Sequence, residues 1–152
     1  MDFKQKKFVK VRINASGKRA IGIVGIPPPH FRISDFLNSH NEFLCVKLEK
    51  SDTFIPKDAI SYLEALEEGE DAGSRPRSGE FRQVTVTLKN HGGSFRGEIF
   101  VPDGTELATV LSKVRRFINF RNVRFASSPE HYGFIAVGRL EIVMIQEEKH
   151  PS

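Results

Sequence analysis

The chain of 152 residues is 39% hydrophobic and 28% charged, with a net charge of +4. This balance excludes an intrinsically disordered chain and fits one medium-sized folded domain or two small ones. A single cysteine, Cys45, excludes an internal disulfide and a multi-cysteine metal site, and no apolar stretch approaches the ~20 residues that a membrane-spanning helix needs.

The first predicted element is a β-hairpin formed by residues 8–14 and 22–26. Val9, Val11 and Ile13 alternate with polar residues, which is the period of a half-buried strand. The second strand ends at the prolines of residues 27–29, because proline cannot donate a hydrogen bond to a sheet.

A short helix is predicted next. Ile33, Phe36 and Leu37 have the i, i+3, i+4 spacing of one apolar helix face. Ser34 or Asp35 is the expected N-cap, because either side chain can accept from the first free amides. A helix this short must be held by packing rather than by intrinsic propensity.

Three further strands are predicted at residues 43–49, 54–56 and 60–66, with an abrupt turn at residues 57–59. Cys45 lies within an apolar run, so we expect a buried thiol. Residues 67–79 follow, and their Gly, Pro, Ser and charged residues are typical of a flexible linker.

The same order of elements recurs after the linker. Alternating Val84, Val86 and Leu88 predict the first strand, and Pro102 ends the second. Asp103 or Thr105 is the expected cap of a helix whose buried side consists of Leu107, Val110, Leu111 and Val114. Strands follow at residues 117–125, 134–137 and 140–145.

This recurrence predicts a first unit in residues 1–66, a polar linker in residues 67–79, a second unit in residues 80–146 and a tail in residues 147–152. The differences in length between the units fall in turn-like segments, where insertions are tolerated. A unit of ~60–70 residues is too small to be secure alone, so we expect the two to bury a face against each other or another chain.

Residues 54–63, with the sequence FIPKDAISYL, resemble the Sm-like (SH3-type) small β-barrel, in which one tight turn leads into the last strand. The resemblance implies a mainly β protein of two tandem five-stranded barrels, each with a short helix between strands two and three. Residues 32–38 also resemble a segment of prokaryotic domains to which no activity is attached. Sm proteins carry their helix before strand one, and their RNA-contacting residues have no clear match here, so the resemblance implies a fold rather than RNA binding.

No catalytic motif is found. A nucleophile elbow and a phosphate-binding loop are both absent from the sequence. The histidines show no metal-ligand spacing and fall in predicted loops, helix ends or the tail. They are His30, His40, His91, His131 and His150. The sequence therefore predicts no enzyme, no metal site and no cofactor.

Residues 115–125 interleave arginine with phenylalanine. Guanidinium groups bind phosphates and aromatic rings stack on bases, so this segment is a candidate contact to RNA or single-stranded nucleic acid. The candidate residues are Arg115, Arg116, Arg121 and Arg124.

The alternative interpretation of this segment is structural. As a regular strand it would place Phe117 and Arg121 on one face and Phe120 and Arg124 on the other. The phenylalanines would then be core residues and the arginines a solvated edge. Phe117 aligns with Phe43 of the first unit, which favours this structural interpretation.

Taken together, these features predict a non-enzymatic interaction or scaffolding protein. We expect a cytoplasmic homo-oligomer or a partner-bound protein that does not engage a membrane, joined through strand edges or exposed apolar faces. The alternative function is RNA or single-stranded nucleic-acid binding through the basic strand of the second unit.

Overall fold

The computed structural model describes residues 7–27, 32–66, 78–89, 93–113 and 115–148. Within these ranges, ten antiparallel strands form one unclosed sheet, accompanied by two short α-helices. The protein is therefore mainly β, as predicted, and none of the described helices is long and apolar enough to cross a membrane. Outside the described ranges lie residues 67–77 of the predicted linker, residues 149–152, Val114, and three of the histidines, His30, His91 and His150.

The first half of the described chain, residues 7–65, contains five strands and one helix. They are β1 (Lys7–Ala15), β2 (Lys18–Ile26), α1 (Ile33–Leu37), β3 (Phe43–Leu48), β4 (Ser51–Pro56) and β5 (Ile60–Ala65), with a 3-10 turn at Lys57–Ala59 before β5. The second half, residues 79–147, has the same order of elements. They are β6 (Gly79–Leu88), β7 (Ser94–Pro102), α2 (Leu107–Ser112), β8 (Phe117–Phe125), β9 (His131–Gly138) and β10 (Ile142–Glu147), with a 3-10 turn at Arg139–Glu141 before β10.

Strand order in the sheet also repeats between the halves. The sheet runs β10-β6-β7-β8-β9-β5-β1-β2-β3-β4, so the fifth strand of each half lies beside its first and the fourth lies at the far side. Equivalent hydrogen bonds fix the two 3-10 turns: the Lys57 amide donates to the Glu42 carbonyl, and the Arg139 amide to the Arg116 carbonyl, both at 2.8 Å. Strand pairing closes neither half into a barrel within the described residues.

The strand period decides which side chains enter the core. Val9, Val11 and Ile13 of β1 are buried, as their alternation predicted. On β3 the buried side chains are Leu44 and Val46, and Cys45 between them is exposed. The expectation of a buried thiol is therefore wrong, because an apolar run on a strand still sends alternate residues outward.

The two halves meet where β5 pairs with β9, which we call the seam. Its register pairs Tyr62 with Val137 and Leu63 with Ala136. Tyr62 packs into the core of the second half, whereas Phe117 and Phe134 pack into the core of the first. Each half therefore completes the hydrophobic core of the other.

Three local predictions in the second half and around the helices are corrected. Leu140 does not begin the last strand but lies, exposed, in the 3-10 turn, so that β10 begins at Ile142. The N-caps are Arg32 for α1 and Glu106 for α2, neither with a side-chain capping hydrogen bond, in place of the predicted Ser, Asp or Thr. Packing against the sheet thus holds these short helices, since their caps contribute little.

Candidate functional site

A cleft of about 430 Å³ lies where α1 of the first half faces β7, β8 and α2 of the second. Its walls combine aromatic rings with charged side chains. The aromatic residues are Phe81, Phe100, Phe120 and Phe134, the basic ones Arg32, Lys113, Arg115 and Arg121, and the acidic ones Asp35 and Glu98. The cleft thus joins a stacking surface to a positively charged rim.

Arg121 lies directly against an aromatic ring. Its Nε donates to Glu98 Oε1 at 2.8 Å, and its guanidinium carbon lies 3.3 Å from the centroid of the Phe81 ring. Phe81 in turn packs edge-on against Phe100, with centroids 5.2 Å apart. This geometry is a cation–π contact supported by an ion pair.

A bulge in β8 turns Arg121 outward. Asn122 has a positive φ of 50°, a backbone conformation that asparagine tolerates better than most residues. As a result Phe120 and Val123 are both buried, while Arg121 and Asn122 between them are both exposed. The predicted regular alternation along this strand is therefore wrong beyond Phe120, because the bulge inserts one residue into the pattern.

Arg116 bridges the two halves. Its guanidinium lies 3.3 Å from Glu42 and 3.7 Å from Asp58, both residues of the first half. Its Nη1 is buried and has no hydrogen-bond partner among the described residues. Arg116 is thus held by acidic side chains of the first half and does not line the cleft.

Arg124 also lies away from the cleft. It is exposed near the end of β8, opposite Arg96 of β7, and Arg96 is bound to Glu148 at 2.7 Å. Of the four arginines predicted as nucleic-acid contacts, the structure brings Arg115 and Arg121 into one cleft and places the other two elsewhere.

Sequence reasoning missed Phe81, Lys113 and Arg32 as neighbours of these arginines. Phe81 lies outside the segment 115–125 that the sequence singled out, yet its ring lies partly exposed beneath Arg121. Arg32 reaches the cleft from the other half of the chain, a proximity that no local pattern indicates. Lys113 directly follows α2. In the sequence, only its position two residues after the apolar Leu111 indicated that it could line the same wall of the cleft.

A buried lysine of the first half, Lys57, lies near Arg116. Lys57 is only 1% exposed, and its Nζ donates to the Phe36 carbonyl at 2.7 Å and to Ser39 Oγ at 3.3 Å. Burial, together with the nearby Arg116, lowers the pKa of Lys57 to about 8, against the opposing effect of Glu42. Lys57 therefore anchors the C-terminal end of α1 to the turn before β5.

Metal chemistry has no site in the part of the chain that the structure describes, because no group of three His, Cys, Asp or Glu side chains is placed to hold an ion. The two described histidines, His40 and His131, are exposed. His131 contacts Asn122 Oδ1 at 3.1 Å. In comparisons with known proteins, no family model, no curated protein and no solved structure matches this chain.

Proposed function

We propose that this protein is a non-enzymatic scaffolding protein whose copies join head to tail through their free sheet edges. Each half is proposed to be an Sm-like, SH3-type unit of five strands with a short helix between strands two and three. The repeated strand order and the equivalent turns before β5 and β10 support this interpretation.

The observation that carries the proposal is the seam itself. It joins the fifth strand of one half, β5, to the fourth strand of the other, β9. The remaining fourth and fifth strands, β4 and β10, form the two ends of the sheet, and each pairs with one neighbour only among the described strands. β10 is the equivalent of β5, and β4 is the equivalent of β9, so both partners of a seam-like contact have an open edge. The β10 of one copy can therefore pair with the β4 of the next.

The seam also predicts the register of this contact. Counted from the equivalent 3-10 turns, β10 residues Met144 and Ile145 correspond to Tyr62 and Leu63 of β5. On β4, Ile55 and Phe54 correspond in the same way to Val137 and Ala136 of β9. The seam register then pairs Met144 with Ile55, and Ile145 with Phe54, between neighbouring copies.

Both free edges expose apolar side chains. Phe54 on β4 is 63% exposed and Met144 on β10 is 45% exposed. The first five residues of β5, in contrast, are all buried at the seam. Exposed apolar side chains on an unpaired strand are an aggregation risk, and specific pairing with a second copy would cover them.

A contact between two different edges is heterologous, so each copy keeps one open edge after the first contact. Such contacts form closed rings when the rotation between copies allows it, and open filaments when it does not. A discrete mass in solution would indicate a ring, and a mass that grows with concentration a filament. Either result supports the proposal.

The decisive measurement is the molar mass in solution by light scattering, for the wild type and for one substitution at each edge. Phe54→Lys and Met144→Lys should each reduce the assembly to monomer, because a buried unpaired charge opposes pairing. Ile21→Lys is the matched control, since Ile21 is 53% exposed but lies on an interior strand. It should leave the mass unchanged.

Mixing the two edge variants tests the head-to-tail arrangement itself. Phe54→Lys retains an intact β10 and Met144→Lys an intact β4, so an equimolar mixture should form a dimer that neither variant forms alone. A wild type that stays monomeric at every concentration tested would contradict the proposal. So would assembly that both variants retain, or a mixture that stays monomeric although the wild type assembles.

A further inference from the structure

The guanidinium of Arg121 is held by two neighbouring side chains. Phe81 lies beneath it, and Glu98 fixes its orientation. Glu98 is held in turn by Gln83 at 3.3 Å and by Asn122 at 3.0 Å. The Arg121 side chain remains 45% exposed. A fixed planar cation that is partly exposed is a surface on which nucleic-acid bases stack.

The cleft around Arg121 carries surplus positive charge. Its two acidic side chains are each paired with an arginine, Asp35 at 3.3 Å and Glu98 at 2.8 Å. Lys113 and Arg115 are exposed on the same rim, and neither has an ion-pair partner among the residues that the structure describes. Unpaired cations beside a stacking surface attract a phosphate group.

The corresponding face of the first half lacks this arrangement. There the cross-strand pair that matches Glu98 and Arg121 is Ile23 with Lys47. A lysine has no planar group to stack, and Ile23 cannot orient it. Among the described strands, the combination of oriented arginine and phenylalanine at these positions is thus found in the second half alone, which a purely structural repeat would not require.

From this geometry we infer that the cleft binds a nucleotide. Its base stacks on the exposed part of the Arg121 side chain, and its phosphate lies against Lys113 and Arg115. The volume of about 430 Å³ falls within the range of about 300–1,000 Å³ usual for small-ligand sites. Asn119 lies on the same wall, and its buried carboxamide oxygen has no hydrogen-bond partner in the described part of the chain. The nucleotide is either free or a unit of single-stranded RNA. This inference does not depend on assembly through the sheet edges.

Binding is tested by fluorescence anisotropy with a fluorescein-labelled oligouridylate, and by calorimetry with adenosine and uridine 5′-monophosphates. Arg121→Lys keeps the charge but removes the stacking plane, and should weaken binding by ~10-fold or more. Arg115→Ala should weaken binding and reduce its salt dependence. Arg124→Ala is the matched control on the same strand and should bind as the wild type does.

The two kinds of probe distinguish a free nucleotide from a unit of single-stranded RNA. Binding of the monophosphates that depends on Arg121 identifies a site for a free nucleotide. Binding of the oligouridylate alone, with the same dependence, identifies single-stranded RNA. No binding of either probe would overturn the inference, as would binding that neither Arg121→Lys nor Arg115→Ala weakens. If Arg121→Lys fails to fold, Arg115→Ala decides alone, since Arg115 is exposed and its loss leaves the core intact.

Discussion

Asn38 of the first half binds the main chain of Phe117 in the second half through two hydrogen bonds. Its Oδ1 accepts from the Phe117 amide at 2.8 Å, and its Nδ2 donates to the Phe117 carbonyl at 3.3 Å. The Phe117 side chain is itself buried in the core of the first half. One asparagine after α1 therefore fixes the point at which β8 begins.

Replacing Asn38 by alanine should destabilise the whole protein. The substitution leaves the Phe117 amide without its partner at a part-buried position, which costs about 1–3 kcal/mol. The free energy of unfolding in urea measures the effect. Asn41→Ala, at an exposed position three residues further on, is the control and should change stability by less than about 0.5 kcal/mol. Equal stabilities of the two variants would contradict the role assigned to Asn38.

Gly138 at the end of β9 should tolerate no side chain. A Cβ at this position would lie 2.6 Å from the Ile60 carbonyl oxygen on the facing strand, so backbone would have to move. Gly138→Ala should therefore destabilise by about 1–3 kcal/mol in thermal or urea unfolding. Gly133→Ala on the same strand meets no atom of the described residues within 4 Å and should be close to neutral. A neutral Gly138→Ala would show that the seam is looser than described.

The pH dependence of stability should report on Lys57. The pKa of this lysine is about 8 in the folded protein, against an ordinary value of 10.5. The unfolded chain therefore binds more protons than the folded one between these pH values, and stability rises with pH across that window. Below pH ~8 the protein carries the full cost of a buried ammonium group.

This effect is isolated by comparison with Lys57→Met. The difference in free energy of unfolding between wild type and variant should shift in favour of the wild type by on the order of 1–3 kcal/mol between pH ~7.5 and ~10.5. Lys47→Met, which removes an exposed lysine of β3, should show no such shift. A difference that stays constant over this range would argue against a lowered pKa.

Pro56 should limit the strength of assembly. It occupies on β4 the position that Gly138 occupies on β9, where the facing strand approaches most closely. Proline adds ring atoms there and offers no amide hydrogen. Pro56→Gly should therefore strengthen self-association by ~10-fold, as measured by sedimentation velocity.

The control for this change is Pro102→Gly. It removes a proline from the end of β7, an interior strand, and so has the same effect on the flexibility of the unfolded chain without touching an edge. Association of Pro102→Gly should equal that of the wild type. Unchanged or weaker association of Pro56→Gly would count against pairing at β4.

Local sequence patterns predicted most of the strands because burial follows their period. Val9, Val11 and Ile13 in β1, and Val84 and Val86 in β6, are buried as their alternation required. The limits of β8, residues 117–125, also agreed. These elements depend on apolar spacing alone, which a single sequence displays directly.

Features that depend on one backbone angle or on the other half could not be predicted in this way. The bulge at Asn122 changes the faces of β8, but asparagine is common at many other positions and does not by itself indicate a positive φ. The cleft combines Arg121 with Phe81 and Arg32, residues that lie far apart in sequence. Arg115 and Arg121 were predicted as candidates because charge and aromatic content are visible locally. The sequence did not indicate that Arg116 and Arg124 lie away from the cleft.

The exchange of side chains across the seam has a consequence for how the protein tolerates mutation. Tyr62 completes one core, and Phe117 and Phe134 complete the other, so neither half holds all of its own interior. A destabilising mutation in either half therefore weakens the packing of both cores, and thermal unfolding of the chain should occur in a single transition. The two halves have therefore lost the freedom to evolve, or to be excised, as independent parts.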